Sequence, residues 1–169
     1  MDNASWRINV DSAGLIAFKD AIQGSISQQL AHDVGDFILK RKDGLFAYQL
    51  AVVVDDALQG ITHIVRGADL LDSTPRQIYL QQLLGVTTPH YAHVPVVVNA
   101  DGEKLSKQTL AKPITAETSS ALVFEVLQFL GQNPPVEFMN ATLAEMWRWA
   151  IAHWQLDKIP RQKLQIYNT

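Results

Sequence analysis

The sequence has 169 residues, of which 47% are hydrophobic and 18% charged, enough for one packed domain or for a domain with a small appendage. Lys and Arg number 14 against 17 Asp and Glu, and the net charge of -3 excludes a uniformly basic surface for non-specific nucleic-acid binding. Cysteine is absent, which excludes disulfides, thiol catalysis and cysteine-ligated zinc. No apolar run approaches the roughly 20 residues that cross a bilayer, and the first residues do not resemble a signal peptide, so we expect a cytoplasmic protein with no membrane partner.

The first third of the chain is predicted to be rich in β-strand. Residues 6–10 alternate between apolar and polar side chains, which predicts a half-buried strand with its apolar side chains on the inner face. Residues 36–40 form a second candidate strand. The Asp43-Gly44 pair that follows favours the positive φ angles of a tight hairpin turn, so the chain from Leu45 onward is a candidate partner strand.

Residues 45–58 support two interpretations. The valines at 52–54 favour a strand by propensity, whereas the acidic segment that runs to Gly60 is typical of a helix end closed by glycine. The residues alone leave this segment open between strand and helix. Residues 61–65 are a short candidate strand that leads to Arg66-Gly67.

The clearest predicted element is the helix that follows. Thr74 is a candidate N-cap, Pro75 suits the first helical position, Gln77 completes a capping box and Gly85 closes the helix. A buried strand is predicted over residues 94–98, and the turn residues at 99–102 lead from it into a lysine-bearing loop.

The chain is predicted to become helical after about residue 109. Residues 122–130 carry an apolar stripe that ends at Gly131, and Thr142 with Glu145 forms a second capping box before another stripe. The tryptophans of that last helix are expected to serve core and interface packing. We therefore predict a boundary near residue 110, with a mixed α/β part over residues 1–110 and a small helical part over residues 111–169.

Lys104, Ser106 and Lys107 lie on the loop after the predicted turn. Two lysines with a hydroxyl between them are suited to the oxygens of a polyphosphate and can offset negative charge that develops during nucleotidyl transfer. The other interpretation of this short pattern is an ordinary solvated face.

Arg66 and Tyr48 are candidates for binding a small molecule. A guanidinium at the end of a strand can hold a carboxylate through two parallel hydrogen bonds; the alternative is a salt bridge from Arg66 to Asp69 or Asp72. The hydroxyl of Tyr48 can point into a pocket, or the side chain can be a core tyrosine bonded to the backbone.

Three other patterns carry weaker predictions. His90 and His93 are close in sequence but flank an extended segment, which disfavours a zinc site, and Asp55-Asp56 lacks a third metal ligand. The basic cluster at 40–42 fits either a contact with a phosphate backbone or the solvated tip of a hairpin.

Three blocks of the sequence together resemble a known family. Residues 36–56 and 60–77 are similar to the catalytic domain of glutamate-specific class I aminoacyl-tRNA synthetases. Residues 104–108, Lys-Leu-Ser-Lys-Gln, follow in the right order as a variant of the lysine-serine-lysine signature loop of that class. The likeness runs from about residue 5 to residue 131.

Within that family, the sequence is most similar to the truncated paralogues that glutamylate tRNA(Asp), the glutamyl-Q tRNA(Asp) synthetases. Residues 44–48, 66–69 and 127–131 carry this closer resemblance. It implies an α/β fold, the C-terminal part of a Rossmann-like class I catalytic domain followed by a small helical region that resembles the family's stem-contact region. It also implies that much of residues 47–58 is helical.

The resemblance implies ATP-dependent activation of glutamate and transfer of the glutamyl group to the queuosine of tRNA(Asp). Matched residue by residue, Tyr48 and Arg66 are implied to bind glutamate, and Lys107 to bind ATP, which acts with Mg2+. Lys104 and Ser106 belong to the same catalytic loop. The implied partners are glutamate, ATP and tRNA(Asp).

The sequence also departs from the family pattern. The arginine-rich first strand, the His-Ile-Gly-His-like motif and the cysteine-containing zinc site of many members have no counterpart here. We therefore expect the chain to be inactive alone. It would be either a fragment of a longer protein or one half of a split enzyme, in which case a separate N-terminal half would be a partner. A fragment of an ordinary glutamyl-tRNA synthetase, which would aminoacylate tRNA, and a non-catalytic tRNA- or nucleotide-binding remnant are the alternatives.

Overall fold

The computed structural model describes residues 4–105 and 119–166. It forms two compact units, Met1–His93 and Val94–Thr169. The domain boundary predicted near residue 110 lies outside the described residues and stays a prediction.

The first unit is built on a four-stranded sheet. Strands β2 (Leu15–Asp20) and β3 (Gly24–Gln29) form an antiparallel hairpin, and β6 (His90–Val94) pairs in parallel with β2 where Tyr91 faces Asp20. Strand β5 (His63–Gly67) is the neighbour of β6 at the other edge. The strand order is therefore β3-β2-β6-β5, with β2 and β5 on either side of β6.

A second, two-stranded sheet confirms the first two predicted strands. Strands β1 (Trp6–Ile8) and β4 (Phe37–Lys40) pair antiparallel, and Gly44 adopts a φ of 87° in the turn that follows. The return from that turn forms only one bridge, between Lys40 and Phe46, before the chain becomes helical. The alternation failed at one position, because Trp6 is 64% exposed and its ring lies beside the Lys40 ammonium instead of in the core.

Helices cover the segments between these strands. Helix α1 (Leu30–Asp33) is a single turn, and a 3-10 helix (Ala68–Ser73) leads directly into α3 (Thr74–Leu84). The valine segment, which was left open between strand and helix, lies within helix α2 (Tyr48–Leu58). Gly85 ends α3 in the left-handed conformation, as predicted. The core of this unit is formed by buried side chains from strands and helices, among them Val10, Ile16, Leu30, Phe37, Val53, Ile78, Leu80 and Tyr91.

The predicted start of α3 was wrong in one respect. Ser73 occupies the N-cap position, and no side chain caps the helix there. Thr74 and Gln77, which were expected to form a capping box, instead accept hydrogen bonds from the guanidinium of Arg66. The side-chain oxygens that the local pattern assigned to capping are therefore used in a tertiary contact with Arg66.

The second unit pairs β7 (Val96–Val98) in parallel with β8 (Leu164–Ile166), a strand that the sequence did not predict. Pro95 separates β7 from β6, so the single strand predicted over residues 94–98 is divided in two. The predicted turn follows β7, with Gly102 at a φ of 80°.

Two helices pack together in the second unit. These are α4 (Ser119–Phe129) and α5 (Leu143–His153), and two 3-10 helices (Val136–Asn140 and Leu156–Lys158) flank α5. Their shared core consists of Phe124, Leu127, Met146 and Ala150. The capping box of Thr142 and Glu145 is confirmed.

The tryptophans of the last helix divide between packing and exposure. Trp149 packs against Phe138 and stacks on His153, whereas Trp147 is 50% exposed. Among the residues that the structure describes, no helix is long and apolar enough to span a membrane.

Candidate functional site

Arg66 lies near the end of β5, and its guanidinium is held by neutral side chains. Its Nε donates to Nε2 of His93 at 3.0 Å, and its Nη2 donates at 2.8 Å to the Thr74 hydroxyl and at 2.8 Å to Oε1 of Gln77. The guanidinium carbon also lies 5.6 Å from the centre of the Tyr91 ring. These partners orient the positive charge without neutralising it.

A buried carboxylate–imidazole pair lies behind Arg66. Nδ1 of His93 is 2.6 Å from Oδ2 of Asp20, and both side chains are completely enclosed. Oδ1 of Asp20 accepts three further hydrogen bonds, from the backbone N–H groups of Ile22 at 3.0 Å, Gln23 at 2.8 Å and His93 at 3.1 Å. The carboxylate therefore has enough donors to remain charged inside the protein.

The donors around His93 fix its protonation state. An arginine Nε–H is always a donor, so Nε2 of His93 must present a lone pair to Arg66. The ring proton then sits on Nδ1 and points to Asp20, which makes His93 neutral. Burial lowers the pKa of His93, and the charge of Arg66 lowers it further, against the raising effect of Asp20.

The pKa of Asp20 is the outcome of two opposing effects. Burial alone would raise it, but the hydrogen bonds from the His93 side chain and from the backbone lower the pKa of Asp20 below its usual value of 3.8. The pair is therefore a charged carboxylate beside a neutral imidazole.

A second set of hydrogen bonds runs from Arg66 towards α2. Gln77, which accepts from Arg66, donates through Nε2 to Oε1 of Gln49 at 2.9 Å, and Gln49 donates to the Ser73 hydroxyl at 3.1 Å. Gln49 is the second residue of α2 and follows Tyr48 directly. These bonds tie the first turn of α2 to the start of α3.

Arg66 and Tyr48 both affect the pKa of Tyr91, whose side chain is buried. Burial raises the pKa of Tyr91, and among the smaller effects the charge of Arg66 lowers that pKa while Tyr48 raises it. Tyr48 itself is 51% exposed, so it is not the core tyrosine of the alternative interpretation. Its side chain is accessible to a bound molecule.

The charge of Arg66 also affects the pKa of Asp56, an acidic residue of α2. Burial raises the pKa of Asp56, the charge of Arg66 offsets part of that rise, and the neighbouring Asp55 adds to it. Within the described residues, no three His, Asp or Glu side chains come together in a way that could hold a metal ion.

The lysine loop is described only in part. Lys104 is exposed, follows the turn after β7 and forms an antiparallel bridge with Val98. Ser106 and Lys107 lie outside the described residues. Lys104 belongs to the second unit, and Tyr48 and Arg66 to the first.

The basic cluster at 40–42 lies at the edge of the small sheet. The Lys40 ammonium is 5.3 Å from the Trp6 ring centre and 5.6 Å from that of Phe46, and Arg41 pairs with Asp43 at 2.8 Å. Trp6 and Phe46 are largely exposed, so this hairpin presents a solvated mixture of basic and aromatic groups.

The contact between Asp20 and His93 behind Arg66 was not predicted from the sequence. Asp20 and His93 are separated by 73 positions, so no local spacing links them. The one available signal was the acidic residue at the end of an alternating strand, immediately before a turn.

The comparison with protein families gives one match that covers most of the chain. The family described as "tRNA synthetases class I (E and Q), catalytic domain" matches residues 2–130.

Relatives with similar sequences share one name, glutamyl-Q tRNA(Asp) synthetase. The relative from Aromatoleum aromaticum is 59% identical over 158 residues, which are 94% of this chain and 50% of the relative. The relative from Dechloromonas aromatica is 56% identical over 160 residues (95% and 53%), and that from Pseudomonas aeruginosa is 55% identical over 144 residues (85% and 49%). The chain spans about half the length of the curated relatives it matches.

Two solved structures share the fold. A glutamate-tRNA synthetase from Elizabethkingia anophelis superposes with a TM-score of 0.69 at 24% identity, covering 91% of this chain and 34% of that protein. A glutamate tRNA ligase from Elizabethkingia meningosepticum, solved in complex with its amino acid, gives a TM-score of 0.66 at 23% identity, with coverages of 88% and 33%. At these identities the likeness establishes the class I synthetase catalytic-domain fold.

Proposed function

The chain belongs to the family of class I tRNA synthetase catalytic domains for glutamate and glutamine, and we propose that it supplies the glutamate-binding part of a glutamyl-Q tRNA(Asp) synthetase. The proposed reaction activates glutamate with ATP to glutamyl-adenylate and then transfers the glutamyl group to the queuosine base of tRNA(Asp). Relatives that are 55% to 59% identical and bear that name support this choice over an ordinary glutamyl-tRNA synthetase.

The observation that carries the proposal is the oriented, unneutralised guanidinium of Arg66. Its hydrogen bonds use Nε and Nη2, and within the described part of the chain none uses Nη1. A guanidinium with neutral partners retains its attraction for an anion, because none of the described hydrogen-bond partners of Arg66 is a carboxylate. Nη1 is therefore the nitrogen available to donate to a carboxylate of the substrate.

This arrangement suits the side-chain carboxylate of glutamate. The α-carboxylate must attack the α-phosphorus of ATP and release pyrophosphate, so the carboxylate that Arg66 holds is the other one. Glutamine could still present its amide oxygen to Nη1, but it lacks the negative charge that makes a carboxylate the stronger partner for the guanidinium. The exposed hydroxyl of Tyr48 would add a hydrogen bond to the bound amino acid.

The lysine loop is assigned to ATP. Lys107, with Lys104 and Ser106 on the same loop, would contact phosphate oxygens and offset the charge that develops as pyrophosphate leaves. Mg2+ is expected to accompany ATP, carried mainly by phosphate oxygens and water, because the described residues offer no cluster of three ligands for it. The proposed roles in glutamate and ATP binding are therefore assigned only to side chains of this chain.

The test uses a chimera in which this chain replaces the matched segment of the Aromatoleum aromaticum relative. We expect glutamate-dependent ATP–pyrophosphate exchange by the chimera, and a loss of about 100-fold or more in kcat/KM for glutamate when Arg66→Ala removes the guanidinium. Arg161→Ala, a change of the same type at an exposed arginine, is the matched control and should leave exchange unchanged.

The acceptor is tested with the same chimera and radiolabelled glutamate. Transfer to tRNA(Asp) that carries queuosine, and none to tRNA(Glu), is the expected result. Transfer to tRNA(Glu) instead would support an ordinary glutamyl-tRNA synthetase. A folded chimera that binds tRNA but shows no exchange would identify the chain as a non-catalytic binding remnant.

A further inference from the structure

The guanidinium of Arg66 is anchored along one edge. Nε and Nη2 lie on the same side of the planar group, and the structure gives both of them partners on the protein: His93 for Nε, and Thr74 and Gln77 for Nη2. Two anchored nitrogens fix both the plane of the group and its rotation within that plane. The direction of Nη1 is then determined.

The acceptor for Nε depends on a tautomer. Nε2 of His93 can accept from Arg66 only while the ring proton is on Nδ1. Asp20 selects that tautomer, because Oδ2 lies 2.6 Å from Nδ1 and can only accept. Because Oδ1 is occupied by the backbone N–H groups of Ile22, Gln23 and His93, the carboxylate cannot rotate away from the ring.

We propose that Asp20 and His93 are positioning residues for Arg66, with Asp20 holding His93 in the tautomer whose Nε2 accepts from the arginine and so directs Nη1 towards the substrate carboxylate. This inference rests on the proposed function for its substrate. Neither residue touches glutamate itself; both act through the orientation of Arg66.

Two substitutions at His93 separate positioning from simple structural support. The amide of His93→Gln can place its oxygen near the former Nε2, so it retains an acceptor for Arg66 but loses the donor to Asp20. The amide of His93→Asn lies near the former Nδ1, so it retains the donor to Asp20 but loses the acceptor for Arg66. A positioning role makes His93→Asn the more damaging change for glutamate binding, whereas a structural role makes His93→Gln the more damaging one, because it leaves buried Asp20 without its side-chain partner.

Asp20→Asn provides an independent variant of the same size. Three backbone donors hold the side-chain oxygen at the Oδ1 position, so the new amide nitrogen faces Nδ1 of His93. That nitrogen is a donor, which forces the ring proton onto Nε2. There the proton opposes the Nε–H of Arg66, and the Thr74 hydroxyl, 3.2 Å from Nε2, already accepts from Nη2 of Arg66. Asp20→Asn should therefore resemble His93→Asn.

The first experiment examines the 169-residue chain by NMR, without substrate. We expect the nitrogen shifts of His93 to show a neutral ring protonated at Nδ1, and the Nε–H of Arg66 to be protected from solvent exchange. That protection should survive in His93→Gln and disappear in His93→Asn and Asp20→Asn. A ring protonated at Nε2 in the unsubstituted chain, or protection lost equally in all variants, would overturn the proposal.

The second experiment measures ATP–pyrophosphate exchange by the chimera that carries these variants. His93→Asn and Asp20→Asn should raise the KM for glutamate about tenfold or more with little change in kcat, and His93→Gln should raise it only a few-fold. An equal or larger effect of His93→Gln would refute positioning. If the unsubstituted chimera shows no exchange at all, the proposed function is refuted. The NMR experiment would then still decide whether Asp20 and His93 position Arg66.

Discussion

Asp20 and His93 form a fully buried contact in which Oδ2 of the aspartate lies 2.6 Å from Nδ1 of the imidazole, across 73 positions of sequence. The contact joins β2 to β6, which pair in parallel where Tyr91 faces Asp20. It therefore connects the centre of the sheet to the arginine at its edge. Loss of this buried, charged carboxylate should therefore destabilise the fold.

Asp20→Ala should destabilise the first unit strongly. The substitution leaves the Nδ1–H of His93 and the backbone N–H groups of Ile22 and Gln23 without their acceptor in a buried setting. We expect a loss of about 3 kcal/mol or more in the free energy of unfolding, measured by urea denaturation. Asp11→Ala, at an exposed aspartate of the same unit, should change it by about 0.5 kcal/mol or less. Equal losses in the two variants would contradict this assignment.

Stability should fall as the pH drops below about 6.5, the ordinary pKa of histidine, because folding lowers the pKa of His93. In that range the unfolded chain takes up a proton that the folded chain does not, so acid favours unfolding. The contribution of neutral His93 to the free energy of unfolding is fully present above pH 6.5. A second loss follows below pH 3.8, because the pKa of Asp20 is also lowered by folding and its stabilisation disappears on protonation.

The midpoint of urea denaturation, measured between pH 8 and pH 5, tests the contribution of His93 to stability. His93→Gln removes the titrating group, so its midpoint should depend less on pH in this range than that of the unsubstituted chain. Each pH unit over which a single group differs in protonation changes the free energy by about 1.4 kcal/mol at most. Parallel pH profiles for the two proteins would show that another group controls acid stability.

The sequence predicted elements whose signals are local. The β1 and β4 strands, the glycine that ends α3 and the capping box of α5 all depend on a few neighbouring residues. The valine segment stayed open between strand and helix, since β-branched residues favour strands by propensity while the acidic segment that runs to Gly60 favoured a helix end.

The site was predictable only in part. Arg66 and Tyr48 were singled out from the sequence, but the side chains that accept from the guanidinium of Arg66 lie on two separate elements, β6 and α3. Thr74 and Gln77 have the spacing of a capping box, but each accepts a tertiary hydrogen bond from Arg66 instead. Local rules fail at such positions because the arginine offers a stronger, charged donor than the helix N-terminus does.

Thr142→Ala should destabilise the second unit by removing the cap of α5. The Thr142 hydroxyl accepts from the backbone N–H of Glu145 at 3.3 Å, and the Glu145 carboxylate accepts from the backbone N–H of Thr142 at 2.9 Å. We expect a loss of about 1 kcal/mol in the free energy of unfolding, measured by urea denaturation. Thr142→Ser keeps the hydroxyl and is the control; it should recover most of that loss. Similar losses for alanine and serine would show that the methyl group, and not the cap, is responsible.

Gly131→Ala should be among the most damaging small substitutions in the second unit. Gly131 ends α4 with a φ of 71°, and a Cβ atom there would press into the backbone carbonyl of Lys158. That carbonyl belongs to a segment fixed nearby, because the side chain of Gln132 donates to the carbonyl of Gln155 at 3.0 Å and accepts from its N–H at 2.8 Å. The backbone therefore cannot move aside without breaking these bonds.

Gly102→Ala separates the clash from the strain of a left-handed backbone. Gly102 has a φ of 80°, and the described residues place no atom within 4 Å of the position that a Cβ would take, so alanine there should cost only about 1–2 kcal/mol. Gly131→Ala carries the same conformational cost plus the collision with the Lys158 carbonyl, and we expect about 3 kcal/mol or more. Urea denaturation of both variants measures the difference. If Gly131→Ala is no less stable than Gly102→Ala, the segment at Lys158 yields more readily than its hydrogen bonds to Gln132 imply.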